Sequence, residues 1–346
     1  MPETPTSIGR RSFLGGLAML GVAGRTLLRS GNARAAVDAA RDAASPEGWP
    51  EIPKRRLGRT GFEASRLVFG CGAALSRKRR DALLETALAA GINVFDVGAR
   101  SYYKDAEQNL APFLKRHRDE IFLISKAMTY LDVGPEEEIS AAQGREAAAT
   151  WSGLLDQSLA ELGVEQVDAY YVMASHNPHI VKNEELREAF ETAKKAGKVK
   201  HRGLSTHQNA KRVLEAAMES GGYDLAQVAV TPAGWYDWAD KGILPDSPPM
   251  AGLQPFLARV RKSGIGLIGM KAGRYLAGRK FLGWGKPDAF DEHYDEAFLA
   301  AALSPFQRSY AYVLGHGLDA VNADMQVFAH LQENVAAAAG ADRLFA

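Results

Sequence analysis

Short buried runs and amphipathic stretches alternate along most of this chain. Each buried run has the character of a strand, each amphipathic stretch has helical periodicity, and one unit takes about 30 to 45 residues. The eight candidate strands are Leu67–Gly70, Asn93–Val97, Ile121–Lys126, Val167–Met173, Val199–Ser205, Ala226–Thr231, Gly266–Met270 and Ala320–Asn322. Such alternation predicts parallel strands, and crossovers of one hand close the sheet into a barrel. We therefore expect an α/β fold of the (β/α)8 TIM barrel type.

Eight helical patterns separate and follow these strands. They are Arg79–Ala90, Glu107–Arg116, Ala147–Leu162, Glu184–Ala196, Ala210–Ser220, Leu253–Ser263, Ala297–Leu314 and Val327–Ala339. A doubly wound open sheet is the alternative, and it usually carries a Gly-x-Gly-x-x-Gly turn after its first strand. The segment Phe69–Ala74 has only two of those glycines, which favours the barrel. Ahead of the first strand, Gly58 and Gly61 predict a turn in a short N-terminal hairpin over Arg55–Arg66.

The first 35 residues have the pattern of an export signal. Gly9–Leu14 contains paired arginines, an apolar run follows to Gly24, and Ala33–Ala35 supplies a small-x-small cleavage site. The arginine pair resembles a twin-arginine signal, and the apolar run is too short to span a bilayer. We therefore predict a signal peptide over residues 1–35, the twin-arginine export machinery as a partner, and a periplasmic or secreted protein. A cytoplasmic amphipathic anchor is the alternative.

Composition places the rest of the chain among globular proteins of one large domain or two medium ones. The 346 residues are 46% hydrophobic and 24% charged, which suits core burial on that scale. A net charge of +1 without a concentrated basic patch argues against nucleic acid as a partner. Residues 36–53, rich in Ala and Pro, predict a linker, which leaves 54–346 for the barrel. Cys71 is the only cysteine and cannot ligate an iron–sulfur cluster alone, and no metal site is predicted.

Polar side chains fall near the ends of neighbouring predicted strands. Asp96 ends the second strand, Lys126 ends the third, and the pair Tyr102-Tyr103 lies between them. Parallel strands place such ends at the same edge of a barrel, where α/β active sites lie. There an ammonium lowers the pKa of a neighbouring phenol, and a carboxylate keeps the ammonium charged. A structural Asp–Lys ion pair at the barrel rim would have the same spacing, so both interpretations remain open.

Several motifs, in chain order, resemble the aldo-keto reductase family. They are Arg56–Gly61, Phe69–Cys71, Gly91–Asp96, Leu159–Gly163 with Val167-Asp168, Gly197–Ser205, Gly264–Lys271 and Gln332–Val335. The resemblance covers roughly residues 54–339. It implies a barrel that transfers hydride between a nicotinamide cofactor, NADPH or NADH, and a small-molecule carbonyl or alcohol substrate. A tyrosine would serve as the proton donor.

The resemblance also implies four catalytic positions, which are Asp, Tyr, Lys and His. Asp96 and Lys126 fill two of them directly. The tyrosine is offset from its usual spacing, and counting back from Glu107 selects Tyr103, with Tyr102 as the alternative. Loop length can absorb such an insertion, because the tyrosine need only reach the carbonyl oxygen within hydrogen-bond distance.

The fourth catalytic position departs from the family pattern. The histidine would fall at Met173, which can neither polarise a carbonyl nor donate a proton. His176 lies three residues further on and is our candidate for the role, ahead of His179. Both histidines could equally be ordinary loop residues.

The resemblance implies a set of cofactor-binding residues, which are Ser205, Thr206, Gln227, Met270, Lys271, Glu333 and Asn334. Ser205 and Gln227 match positions that hydrogen-bond the nicotinamide carboxamide, whereas Met270 replaces the usual stacking aromatic. The cations that hold a 2′-phosphate in the family are replaced here by Asp324 and His330. Without those charge-assisted contacts, a preference for NADPH is not expected.

Two loops rich in aromatic residues are expected to overhang the barrel mouth. They hold Trp235–Trp238 after the sixth strand, and Tyr275, Phe281 and Trp284 after the seventh. Such loops would form an apolar pocket for a carbonyl substrate, unless they only pack on one another. We therefore predict an exported NAD(P)H-dependent oxidoreductase. A catalytically degenerate barrel that binds or regulates, and a non-redox lyase or isomerase, are the alternatives.

Overall fold

A computed structural model describes residues 46–276 and 285–345. The strands in this part of the chain are β1 Lys54–Arg56, β2 Glu63–Ser65, β3 Leu67–Gly70, β4 Val94–Asp96, β5 Phe122–Ala127, β6 Val167–Val172, β7 Val199–Thr206, β8 Leu225–Thr231, β9 Gly234–Asp237, β10 Gly242–Ile243, β11 Gly266–Met270 and β12 Ala320–Ala323. The helices are α1 Cys71–Leu75, α2 Asp81–Ala89, α3 Arg100–Tyr103, α4 Ala106–His117, α5 Ala141–Leu162, α6 Pro178–Val181, α7 Glu184–Lys195, α8 Ala210–Ser220, α9 Met250–Lys262, α10 Glu296–Ala300, α11 Pro305–Gly315 and α12 Phe328–Leu344.

Eight of these strands form a closed parallel barrel. In order around it they are β3, β4, β5, β6, β7, β8, β11 and β12, and β12 pairs with β3 to close it. Helices connect successive barrel strands, because parallel neighbours need a long crossover. The predicted (β/α)8 barrel is confirmed. The prediction missed β9 and β10, which extend β8 as an antiparallel hairpin above the barrel.

The barrel interior is filled by apolar side chains, and a polar layer lies above them. Alternate residues of a strand share one face, so two inward layers follow each other along the strands. The apolar layer includes Val94, Ile124, Leu225 and Ala320, all buried. Two residues further toward the carboxyl ends are Asp96, Lys126, Gln227 and Asn322. Strand register thus places these four polar side chains in one layer at the carboxyl end of the barrel.

The β1–β2 hairpin closes the amino end of the barrel. Leu57 is fully buried and packs on the interior layer, and the Arg59 N–H donates to the Gly264 carbonyl at 2.7 Å. Gly58 has φ +53°, and a Cβ there would lie 2.2 Å from the nitrogen of Gly266. Only glycine fits at that close approach. The carboxyl end therefore remains the open end.

The predicted helix over Ala297–Leu314 is wrong, because the structure has two helices there. The first, α10, ends at Ala300, and α11 begins at Pro305. Proline lacks the N–H that a helix interior requires but is tolerated in a first turn. Ser304 caps α11, since its hydroxyl accepts from the Gln307 N–H at 3.2 Å in a capping box.

The predicted linker needs a correction at its C-terminal end. Ile52 is 3% exposed within the core, and the Arg66 N–H donates to the Pro53 carbonyl at 3.1 Å. The chain therefore packs onto the barrel before Lys54, because an apolar side chain and a backbone acceptor are both satisfied there. Residues 36–45 of the linker and the signal peptide predicted over residues 1–35 lie outside the described residues. No helix within the described ranges is long and apolar enough to cross a membrane.

Candidate active site

Asp96 and Lys126 form a buried ion pair at the carboxyl end of the barrel. They are 4% and 3% exposed, and Lys126 Nζ lies 2.5 Å from Asp96 Oδ1. Asp96 Oδ2 accepts hydrogen bonds from Asn322 Nδ2 at 2.5 Å and from Gln227 Nε2 at 3.4 Å. Donors from three strands thus hold one carboxylate, which fixes the Lys126 ammonium at the mouth.

Tyr103 joins this ion pair from the short helix α3. Its ring lies in a slot between Gly72 and Gly98, where an added Cβ would come within 2.4 Å and 2.8 Å of ring carbons. Lys126 Nζ is 5.6 Å from the ring centroid. Tyr102 is 50% exposed, and its ring packs edge-on against Tyr103. The structure therefore brings Tyr103 to the ion pair and leaves Tyr102 at the surface.

The pKa of Tyr103 shifts in the opposite direction to the sequence prediction. Burial raises the pKa of this phenol above its ordinary value, and the negative charge of Asp96 raises it further. The lowering that was expected from Lys126 is outweighed by burial and by Asp96, the carboxylate that pairs with the Lys126 ammonium. The phenol is consequently protonated at neutral pH, which is the state that a proton donor requires.

The structure places Met173 at the fourth catalytic position as a buried side chain. Met173 directly follows β6 and is 4% exposed. His176, the predicted substitute, is half-buried on the next loop, and its Nδ1 lies 2.9 Å from the Ala174 carbonyl oxygen. Within the described ranges, neither His176 nor His179 has a hydrogen bond or ring contact with the catalytic tyrosine or lysine. The structure thus does not bring the predicted histidine to the ion pair.

The sequence analysis missed His207, a histidine at the mouth itself. It follows the end of β7 and lies in the turn that leads into α8. Its carbonyl oxygen accepts from the Trp238 N–H at 3.0 Å, and its ring centroid lies 5.8 Å from that of Trp238. Burial and the ammonium groups of Lys271 and Lys126 lower the pKa of His207 to about 3, so its imidazole is neutral. Its position two residues after Ser205 is the signal that could have identified it.

Ser205, Gln227 and Met270 lie beside one another below the mouth. Ser205 and Gln227 are partners across β7 and β8, and Gln227 Nε2 lies 3.7 Å from Met270 Sδ. All three are buried, yet Gln227 Oε1 has no hydrogen-bond partner in the described part of the chain. Thr206 uses its hydroxyl locally, donating to the Gln208 carbonyl. An unpaired buried acceptor is costly, and the one on Gln227 matches the N–H donors of a carboxamide.

Cationic and aromatic side chains form another side of the mouth. Lys271 follows β11, and its Nζ lies 4.7 Å from the centroid of the Trp238 ring. The Arg274 guanidinium carbon lies 5.1 Å from the same ring, and Arg274 Nε donates to Tyr236 Oη at 3.2 Å. Burial and the neighbouring Arg274 lower the pKa of Lys271 to about 8. Neither cation forms an ion pair with a described residue, so positive charge is available at the mouth.

The predicted aromatic loops divide between the mouth and the core. Trp235 is 4% exposed and packs against Phe256 on α9, with ring centroids 6.3 Å apart. Tyr236 instead contacts Tyr275, with ring centroids 6.0 Å apart, and both lie on the side of the cations. Phe281 and Trp284 lie outside the described residues. The pocket interpretation therefore applies to Tyr236, Trp238 and Tyr275, and not to Trp235.

The segment from β12 into α12 carries the remaining predicted cofactor residues. Asp324 and His330 are both exposed. The Glu333 carboxylate accepts a hydrogen bond from the Ser304 hydroxyl at the start of α11, so it has a structural partner. Asn334 is 5% exposed. This segment thus offers an acidic group where a 2′-phosphate would require a cation.

Comparison with known proteins adds to this geometry. Residues 66–245 match the sequence pattern of the Aldo/keto reductase family. The chain is 26% identical to L-glyceraldehyde 3-phosphate reductase of Escherichia coli K12 over 260 residues, 68% of this chain and 67% of that protein. It resembles in fold an aldo-keto reductase from Klebsiella pneumoniae in complex with NADPH, with TM-score 0.58 and 18% identity over 85% of this chain and 95% of that one. It also resembles in fold the holo form of an aldo-keto reductase from Bacillus halodurans, with TM-score 0.57 and 18% identity over 83% of this chain and 91% of that one.

Proposed function

Because the chain belongs to the aldo/keto reductase family, we propose that it is an NAD(P)H-dependent reductase of a small carbonyl compound. The observation that carries the proposal is the convergence of Tyr103, Lys126 and Asp96 at the carboxyl end of the barrel. These side chains combine a proton donor with a fixed positive charge beside it. Carbonyl reduction requires both, in addition to a source of hydride.

The residues at the mouth fit a nicotinamide cofactor. Such a cofactor supplies the hydride when it is bound. The unpaired Gln227 Oε1, with Ser205 beside it, would hold the carboxamide, and Met270 would pack on the ring by dispersion. Lys271 would face a phosphate, with Thr206, Glu333 and Asn334 completing the set. The NADPH complex of the Klebsiella pneumoniae structure supports this class of cofactor.

Tyr103 delivers the proton in this proposal. Its phenol is held protonated by burial and oriented by the slot between Gly72 and Gly98. As the proton leaves, negative charge develops on the phenolic oxygen, and the adjacent Lys126 ammonium stabilises it. Asp96 keeps that ammonium in position through the 2.5 Å contact.

The E. coli relative, an L-glyceraldehyde 3-phosphate reductase, supports a small aldehyde as the substrate. The alternative of a barrel that binds ligands without catalysis has Met173 in its favour. It leaves unexplained why a buried ammonium, its carboxylate and a phenol meet at one mouth. Burying charged groups costs free energy, and clusters of buried titratable groups are typical of active sites. Their presence at the mouth therefore supports an enzyme.

The test of the proposal is Tyr103→Phe, with Tyr102→Phe as the matched control. Loss of the proton donor should lower kcat for aldehyde reduction by about 10²- to 10⁴-fold, while the Kd for NADH or NADPH stays within about twofold. Tyr102→Phe should retain normal turnover, because that side chain is at the surface. Steady-state kinetics and isothermal titration measure both quantities. A wild-type protein that binds neither cofactor would contradict the proposal, and a larger loss in Tyr102→Phe would transfer the role to Tyr102.

We also propose that the protein is exported through the twin-arginine pathway and works in the periplasm or outside the cell. The paired arginines of Gly9–Leu14 and the small-x-small sequence of Ala33–Ala35 support it. Export of a folded barrel suits a protein that acquires a nicotinamide cofactor in the cytoplasm.

A further inference from the structure

Met173 leaves the proposed reduction without a hydrogen-bond donor that orients the carbonyl group. A thioether has no N–H or O–H, so it cannot hold a carbonyl oxygen as an imidazole does. His176 does not supply the missing group, since its Nδ1 lies against the Ala174 carbonyl oxygen on the following loop. The donor must therefore come from another strand end.

His207 follows β7, the barrel strand next to β6, at the same end of the barrel as Met173. β6 and β7 pair in parallel with Val172 opposite Leu204, which places Met173 opposite Ser205. His207 is two residues further on, about 6–7 Å along a strand that lies about 4.8 Å away. His207 follows the end of β7, and its ring lies against that of Trp238, with centroids 5.8 Å apart. Met173 and His207 thus follow two neighbouring barrel strands at the same end of the barrel.

The neighbours of His207 place its ring beside the cationic and aromatic groups of the mouth. The ring centroid lies 5.8 Å from that of Trp238, and Lys271 Nζ lies 4.7 Å from the same tryptophan ring. The charges of Lys271 and Lys126, with burial, lower the pKa of His207 to about 3. Lys126 Nζ is also 5.6 Å from the Tyr103 ring centroid. Tyr103 ends α3, between β4 and β5, whereas His207 follows β7, which lies two strands from β5 on the barrel rim.

We infer, on the basis of the proposed reductase activity, that His207 donates a hydrogen bond to the substrate carbonyl oxygen while Tyr103 approaches the same oxygen. A neutral imidazole carries one N–H donor and keeps it throughout the reaction. The carbonyl carbon gains the hydride, the oxygen gains the Tyr103 proton, and the C=O double bond becomes a single bond. His207 polarises that bond and aligns it, which replaces the function lost at Met173.

The experiment compares His207→Ala and His207→Gln with His201→Ala. His201 is the matched control, because it lies in β7 toward the amino end of the strand, where its ring stacks on Phe122. With D,L-glyceraldehyde as substrate, His207→Ala should lower kcat by about 10- to 100-fold, with the cofactor Kd changed by less than about twofold. His207→Gln should keep more activity than His207→Ala, since its amide still donates an N–H. His201→Ala should turn over normally.

A second arm relocates the imidazole to the position where the family carries it. Adding Met173→His to His207→Ala should raise kcat at least about fivefold above that of His207→Ala alone. If His207→Ala had lost activity only because it unfolds, the second substitution would not restore turnover. The inference is overturned if His207→Ala stays within twofold of wild type, or if it weakens cofactor binding without lowering kcat. In both of those cases the wild type remains active and Tyr103→Phe does not, so the proposed function stands. If the wild type reduces no aldehyde with either cofactor, the proposed function fails and the inference fails with it.

Discussion

Glu107 is a residue whose charge state the fold sets by burial. It is fully buried on α4, where Oε1 accepts from the Ser125 hydroxyl at 2.6 Å and Oε2 has no partner among the described residues. Burial, with a smaller contribution from the charge of Glu161 on α5, raises the pKa of Glu107 to about 7 against the lowering effects of Ser125, Ser158 and Lys126. The folded state therefore binds this proton more tightly than the unfolded state does.

This shift predicts a pH-dependent stability. An unfolded glutamate has a pKa of about 4.3, so the stabilisation is complete below that pH and is lost as the pH rises through about 7. Relative to Glu107→Gln, the free energy of unfolding of the wild type should fall by about 2 to 3 kcal/mol between pH 5 and pH 8. Denaturant unfolding of both proteins across this range measures it. Glu146→Gln changes an exposed site on α5, and its free energy of unfolding should vary with pH in the same way as that of the wild type. A constant difference between wild type and Glu107→Gln would show that Glu107 is already ionised in the fold at pH 5.

At the scale of elements, we expect the β12–α12 segment to set the preference between NADH and NADPH. In the family resemblance this segment carries the cations that hold a 2′-phosphate, and here Asp324 and His330 stand in their places, both exposed. A carboxylate repels a phosphate group, and a lost hydrogen bond to a charged group costs about 1.5–3 kcal/mol. The element is present, but its charges favour the cofactor that lacks the phosphate.

The prediction is that NADPH does not bind more tightly than NADH. Asp324→Asn should shift the ratio of the two dissociation constants toward NADPH by about threefold to tenfold, because it removes the repulsion. Titration calorimetry with each cofactor measures the ratio, and Asp119→Asn, exposed near the amino end of β5, is the control. A wild-type preference for NADPH beyond about tenfold would contradict this interpretation of the segment.

At the scale of the whole molecule, the prediction concerns residues 1–35, which precede the barrel unit Gly48–Ala346 in the sequence. If the leader is a twin-arginine signal, Arg10→Lys with Arg11→Lys should retain the protein inside the cell, because that machinery reads the arginine pair itself. Arg25→Lys with Arg29→Lys makes the same change in charge type elsewhere in residues 1–35 and should leave export normal. Cell fractionation and immunoblotting of the three proteins check this. Normal periplasmic levels of the first variant would exclude the signal.

Local sequence patterns were sufficient to predict most strands and helices, but not the points at which some of them end. The buried runs predicted the eight barrel strands because parallel strands are apolar on both faces, and that signal needs no tertiary information. The division between α10 and α11 also has a local sequence signal, the capping residues Ser304, Pro305 and Gln307. That signal was overlooked within a long apolar pattern. The hairpin of β9 and β10 was missed because its residues Gly234–Asp237 read as a loop rich in aromatics.

By itself, the sequence determined the barrel, its family resemblance, and the positions of Asp96, Tyr103 and Lys126 at strand or loop ends. These follow from periodicity and motif spacing, which are properties of neighbouring residues. Only the tertiary structure decided that Tyr103 rather than Tyr102 meets Lys126, because the slot is formed by Gly72 of α1 and Gly98 after β4, which are separate segments of the chain. It alone reversed the expected pKa shift of Tyr103 and brought His207 to the mouth. Burial and long-range charge depend on elements far apart in the chain, and no local pattern carries that information.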